Sequence, residues 1–201
     1  SVDYYHNARM YELSGKVLNA RQSYEKYFES NLNYLDPFLS YTELVKSMEG
    51  PSSTSAILGQ LKNKYPSNPS AFLAFALSKK EAIDRELLLT KLIEKFPGYG
   101  PAYFYVIKSN FDEGRYTFAR QSRVSEALLK LDSLEQQEGF SRYFVDKKLL
   151  AENSAYLKTL RQGESPAESN TIDFKVNFYS NDLLDLFIDP SEMANSIFYR
   201  I

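Results

Sequence analysis

The sequence predicts a mainly α fold: an α-solenoid of about four helical hairpins plus a capping helix, followed by a small antiparallel β segment. Three observations carry that expectation. Two stretches align without a gap at an offset of 31 residues, an aromatic residue recurs at the fourth place of four successive units, and beyond Gly163 the apolar period drops from helical spacing to two.

Composition sets the outer bounds. A chain of 201 residues accommodates one domain with a small appendage. At 43% hydrophobic and 25% charged it has the make-up of a packed globular protein. The formal net charge of −2 provides no chain-wide positive field to gather phosphates, which disfavours nucleic acid as the main partner. Without cysteine there are no disulfides, thiolate metal ligands or cysteine nucleophiles, and a reducing cytoplasm and a thiol-free periplasmic life fit equally. No apolar run reaches the length of about eighteen residues needed to span a bilayer, and Ser1-Val2-Asp3-Tyr4-Tyr5 lacks the basic and apolar regions of a signal peptide. A soluble protein, cytoplasmic or periplasmic, is expected.

The repeat begins from Leu58 to Ser78 set against Leu89 to Ser109. Leu58/Leu89, Leu61/Leu92, Lys64/Lys95, Tyr65/Phe96, Pro66/Pro97, Ala71/Ala102, Phe72/Tyr103 and Ser78/Ser109 fall in register. Units then start at Ser1, Leu35, Pro69 and Gly100, with Tyr4, Phe38, Phe72 and Tyr103 at their fourth places. Each unit reads as a helical hairpin, in which a large ring and a small residue on the first helix meet a small residue on the second.

In the first unit Gly15 marks the turn, where glycine adopts an unusual backbone at little cost. The second is expected to open at Asp36-Pro37, with Asp as the cap and Pro in the first turn. Pro66 and Pro97 follow the second helices of their hairpins, which they cannot continue. In the fourth unit Gly114 takes the turn place. From Phe140 to Leu160 an amphipathic pattern predicts the helix that covers the last open face.

Tyr4, Ala8, Tyr11, Gly15, Ala20 and Tyr24 stand where the 34-residue tetratricopeptide (TPR) pattern places its defining residues, and Tyr103, Gly114, Tyr116 and Ala119 repeat the match. Residues 1–163 therefore resemble a tetratricopeptide repeat domain. The chain departs from that pattern at Leu32, where proline is usual, in the short third unit, and at Arg123 and Glu126, places that are normally apolar.

Residues 164–170 read as a polar linker and 171–201 as the β segment. Ile172, Phe174, Val176 and Phe178 alternate with polar neighbours, Leu184, Leu186 and Ile188 suggest a second strand, and Ser196 to Ile201 a third. So small a sheet is marginal alone. It would pack on the array, pair with another chain, or begin a β-sandwich that is cut short here. After residue 163 seven acidic residues face two basic ones, a net of about −5 against about +3 on the helices.

Catalysis finds no residues to stand on. There is no phosphate loop, dinucleotide fingerprint or zinc-protease motif, and neither a metal site nor a cofactor is implied. His6 is the only histidine and reads as a partly exposed residue of the first helix. Glu81, Asp84, Glu86, Asp112 and Glu113 read as acidic residues at helix starts, where the helix dipole favours them. Basic pairs at Lys62/Lys64, Lys79/Lys80, Arg120/Arg123 and Lys147/Lys148 read as solvated helix faces.

The tetratricopeptide resemblance implies a groove lined by the first helix of each hairpin. Its fifth places hold Tyr5, Leu39, Leu73 and Phe104, and its ninth and twelfth places hold Arg9, Glu12, Glu43, Lys46, Leu77, Lys80, Lys108 and Phe111. The candidate partner-binding set is Tyr5, Arg9, Leu39, Glu43, Leu73, Leu77, Phe104, Lys108 and Phe111. Such a strip takes an extended or helical peptide, with apolar anchors and a charged rim. Equally, it is internal core filled by residues 171–201. Family members that grip a C-terminal carboxylate use groove lysine, asparagine and arginine; Tyr5, Ser40, Ser70 and Ala74 stand at several of those places here, against that role.

The function expected is a non-catalytic protein–protein interaction scaffold or adaptor. The alternative is a helical module that positions a neighbouring domain in a longer enzyme or sensor, and RNA binding ranks third.

Overall fold

The computed structural model describes residues 1–112 and 118–161. Helix α1 (Val2–Leu13) pairs with α2 (Val17–Glu29), and α3 (Asp36–Lys64) is interrupted at Gly50. Next come α4 (Pro69–Leu77) with α5 (Ala82–Lys95) and α6 (Gly100–Asp112) with α7 (Phe118–Glu135). A 3-10 turn at Ser141–Tyr143 leads into α8 (Lys147–Arg161).

The units of the sequence are the units of the structure. Ser1 caps α1 through its side chain, Leu35 is the residue before α3, and Pro69 and Gly100 are the first residues of α4 and α6. Gly15 joins α1 to α2 at a φ of +71°. Gly50 does the same work inside α3: its φ of +81° and ψ of 167° end one limb, 36–49, and Pro51 starts the other. The limbs share a core through Leu44 and Val45 on the first and Leu58 on the second, so α3 supplies a hairpin by itself.

Repetition extends to the helix ends. Tyr65 (φ −121°, ψ 65°) and Phe96 (φ −132°, ψ 68°) close α3 and α5 in nearly the same backbone, each just before its proline. Lys95 Nζ donates to the carbonyl of Pro66 at 2.7 Å, tying one such end to the next. Asn68 caps α4: its Oδ1 accepts from the amides of Ser70 and Ala71, while its Nδ2 donates to Leu32 O and Asn31 Oδ1.

Two clusters form the core. One holds Tyr5, Ala8, Ala20, Tyr24, Tyr27, Phe28, Phe38 and Tyr41 with residues of both limbs of α3. Its rings meet at close tilted and edge-on contacts, such as Phe28 and Phe38 at 4.6 Å and Phe28 and Tyr41 at 5.0 Å. Ala8 and Ala20, the small places of the repeat, are wholly buried and let α1 and α2 approach. The other cluster joins α4 to α7 with the segment after α7 and with α8.

Several expectations need correcting. The fold is mainly α: the described residues contain no strand, so the small antiparallel β segment finds no support, and 171–201 lies outside them, as do the linker 164–170 and Gly114. Period-two runs of four to eight apolar residues are a weak signal, because alternation over so short a stretch does not require a sheet. The single helix expected from Phe140 to Leu160 is instead a 3-10 turn, an extended residue Phe144 and then α8, which Asp146 caps by accepting from the amides of Lys148 and Leu149. Nor is Asp36 the cap of its helix. It lies inside α3, and its carboxylate is spent elsewhere. Asp112 ends α6 rather than starting a helix. Among the described residues no helix is long and apolar enough to cross a membrane.

Candidate functional site

The candidate residues divide into a floor and a rim. Leu73 and Phe104 are 0% and 1% exposed, and Leu39, Leu77 and Phe111 pack half-buried against the same apolar cluster. Phe140, Phe144, Leu157 and Leu160 complete it, with the rings of Phe104 and Phe140 5.5 Å apart. Residues 140–160 thus pack over Leu73 and Phe104; the segment expected from the sequence to fill this strip, 171–201, lies outside the described residues. Tyr5 stands apart in the first cluster at 4% exposed, its ring 6.2 Å from that of Tyr24.

Two of the charged members, Arg9 and Glu43, lie at the surface. Arg9 pairs with Glu12, whose other oxygen accepts from the hydroxyl of Tyr24 at 2.9 Å. Burial holds the Tyr24 phenol well above its usual range, so this hydroxyl is a donor at any ordinary pH. Glu43 is exposed, 3.7 Å from Lys46. Lys108 is half-buried with its Nζ 4.7 Å from the centre of the Tyr156 ring, a cation–π contact between α6 and α8.

Other singled-out groups find structural employment. His6 is exposed, its ring 5.8 Å from that of Tyr5. Lys62 sits over the rings of Phe72 and Phe75, Lys79 over Phe75 at 4.1 Å, and Arg123 pairs with Glu86 across α5 and α7. Ser70 and Ala74, places of the carboxylate grip, are buried. Among the described residues no group of three or more histidines and carboxylates is arranged to hold a metal.

Sequence reasoning missed the most constrained polar group. Asp36 is 1% exposed, and its Oδ2 accepts from the amide of Val145 at 2.5 Å and of Asp146 at 3.3 Å. Beside it the amide of Leu35 donates to Tyr143 O at 2.7 Å. Ser70 Oγ donates to Asn33 O at 2.7 Å, and Tyr99, 2.8 Å from Ser70 Oγ, stacks edge-on against Tyr143 at 4.7 Å. Residues 140–146 therefore run between the starts of the second and fourth units and fasten the last back to the second, while Ser70 ties the third to Tyr99. Burial pushes the Asp36 carboxyl up to about 6, outweighing the backbone amides of Val145, Asp146 and Asp36 itself, which favour the anion. The sequence hinted at this only through the dense aromatics of Phe140, Tyr143 and Phe144 behind Gly139.

No family model matches the chain, and no curated protein matches it. Among solved structures it is similar to one titled "Crystal structure of MamA protein", at 16% identity and a TM-score of 0.43, over 78% of this chain and 87% of that one. At that similarity no residue role is transferred.

Proposed function

We propose that the chain is a non-catalytic scaffold or adaptor that holds a segment of another protein along the rim of its inner face. The binding unit in this reading is the repeat domain, residues 1–163. The observation behind it is that half-buried apolar side chains share helix faces with charged ones on the first helices, Glu43 being exposed and Lys108 half-buried. Leu39 and Glu43 are four residues apart on α3, and Lys108 and Phe111 three apart on α6, so each pair shares one helix face. A rim of this kind orients a peptide by charge and anchors it by apolar contact. The buried residues Tyr5, Leu73 and Phe104 belong to the floor that positions the rim, and contact with the partner passes to Arg9, Leu39, Glu43, Leu77, Lys108 and Phe111.

The test is site-specific photo-crosslinking in the cell of origin, with the reactive residue at position 43 or 108 and a control at the exposed Leu129 of α7. One protein crosslinked from both rim positions and not from the control supports the reading. The same products from position 129, or none from the rim, sink it.

A further inference from the structure

Among the groups that hold residues 140–146 is one buried carboxylate, Asp36, which faces phenols and another carboxylate. We propose that Asp36 is a proton-operated latch: protonated, it locks residues 140–146 between the starts of units two and four, over Leu73 and Phe104; ionised, it loosens that cover.

The geometry supplies both halves of the device. Both amides that reach Asp36 converge on Oδ2, while Oδ1 is buried with no partner, as is the hydroxyl of Tyr27 on α2. The titratable groups that act on the site are Tyr5 of α1, Tyr27 of α2, Tyr99 just before α6, Tyr105 within α6, and Asp146 of the crossing segment. The phenols are neutral and Asp146 repels a second anion. A charged Asp36 has thus given up its water for two amide bonds on one oxygen, which leaves the other oxygen desolvated. A proton on Oδ1 removes the buried charge, the larger part of that cost, and leaves Oδ2 able to accept.

The sign follows from linkage. The folded carboxyl titrates at about 6, above the 3.8 of a solvated Asp, so between those values the latched form holds a proton that the released form has lost. Acid therefore tightens the latch, and rising pH through about 6 weakens it. Release withdraws Phe140 and Phe144 from the cluster that holds Leu73 and Phe104, exposing the floor. That consequence for partners rests on the scaffold reading; the latch itself does not.

The test uses the full chain without any partner. The Asp36 carboxyl is titrated by carbon-13 NMR, and hydrogen exchange at the amides of Val145 and Asp146 is followed at pH 5 and 7.5, corrected for intrinsic exchange. The expected midpoint is about 6, with protection falling on the order of ten-fold across that interval. Asp36→Asn, which imitates the protonated state, should keep both amides protected at pH 7.5 and remove the pH dependence. A midpoint below about 4 overturns the latch, as does a folded Asn variant whose two amides lose protection at both pH values. Should that variant fail to fold, the wild-type titration still decides. Failure here leaves the rim crosslinks standing, and their failure leaves the latch standing.

Discussion

The hydroxyl of Tyr99 lies 2.8 Å from Ser70 Oγ, both residues buried, so the start of the fourth unit is fastened to the start of the third through one polar contact inside an apolar core. Ser70 also donates to Asn33 O, which leaves Tyr99 as the donor toward it. Tyr99→Phe keeps the ring against Tyr143 and removes only that hydrogen bond. It should cost about 1 kcal/mol in urea unfolding, while Tyr99→Ala, which also empties the ring's place, should cost about 3–5 kcal/mol. Equal losses would show that the hydroxyl dominates.

Asn68 does two things at once, capping α4 with Oδ1 and reaching back to Asn31 and Leu32 with Nδ2. Glu81 stands at the corresponding place before α5 and makes no capping bond. Asn68→Ala should destabilise by about 1–2 kcal/mol, and Glu81→Ala by a few tenths at most. Thermal melts of the two variants side by side check the difference.

Gly98 and Gly100 are two residues apart and should respond oppositely to alanine. A Cβ at Gly98 meets nothing within 4 Å, whereas one at Gly100 would lie 2.5 Å from the carbonyl oxygen of Gly139. Gly98→Ala should be neutral or slightly stabilising by reducing the freedom of the unfolded chain. Gly100→Ala forces α6 away from the segment after α7 and should cost about 1–3 kcal/mol, with hydrogen exchange rising at Phe140 to Phe144.

Global stability should carry the sign of the latch. Because the folded Asp36 carboxyl titrates above its unfolded value, its contribution is greatest below about pH 4 and is lost as pH rises through about 6. Between pH 5 and 7.5 this amounts to about 1 kcal/mol lost. Unfolding of Asp36→Asn at the same pH values should lack that slope and be at least as stable as wild type at pH 7.5; a slope retained in the variant would assign it to other groups.

What could be read from the sequence, and what could not, separates along the chain. Gly15, Pro66 and Pro97 stop or turn helices through their own backbone chemistry, so their places needed no neighbours to be found. Gly50-Pro51 carries the same chemistry, yet it lies in a run whose apolar spacing continues on both sides, and it was passed over. That Leu39 with Glu43, and Lys108 with Phe111, share a helix face was legible, because residues three or four apart stand on one side of a helix. The burial of Leu73 and Phe104 was not, since their fifth-place spacing is the same whether solvent or Phe140 lies opposite.

The sequence by itself determined the helical hairpins, their number through the fourth unit and their starting residues, because aromatic and small places recur at fixed intervals and each hairpin is closed by contacts near in sequence. Only the tertiary structure decided that residues 140–160 pack over Leu73 and Phe104 and that Asp36, 109 residues before Val145, bonds the segment that leads into α8. The physical reason is range: a helix and its turn are set by residues a few places apart, while the desolvation of a carboxylate depends on which distant segment covers it, and no local pattern records that.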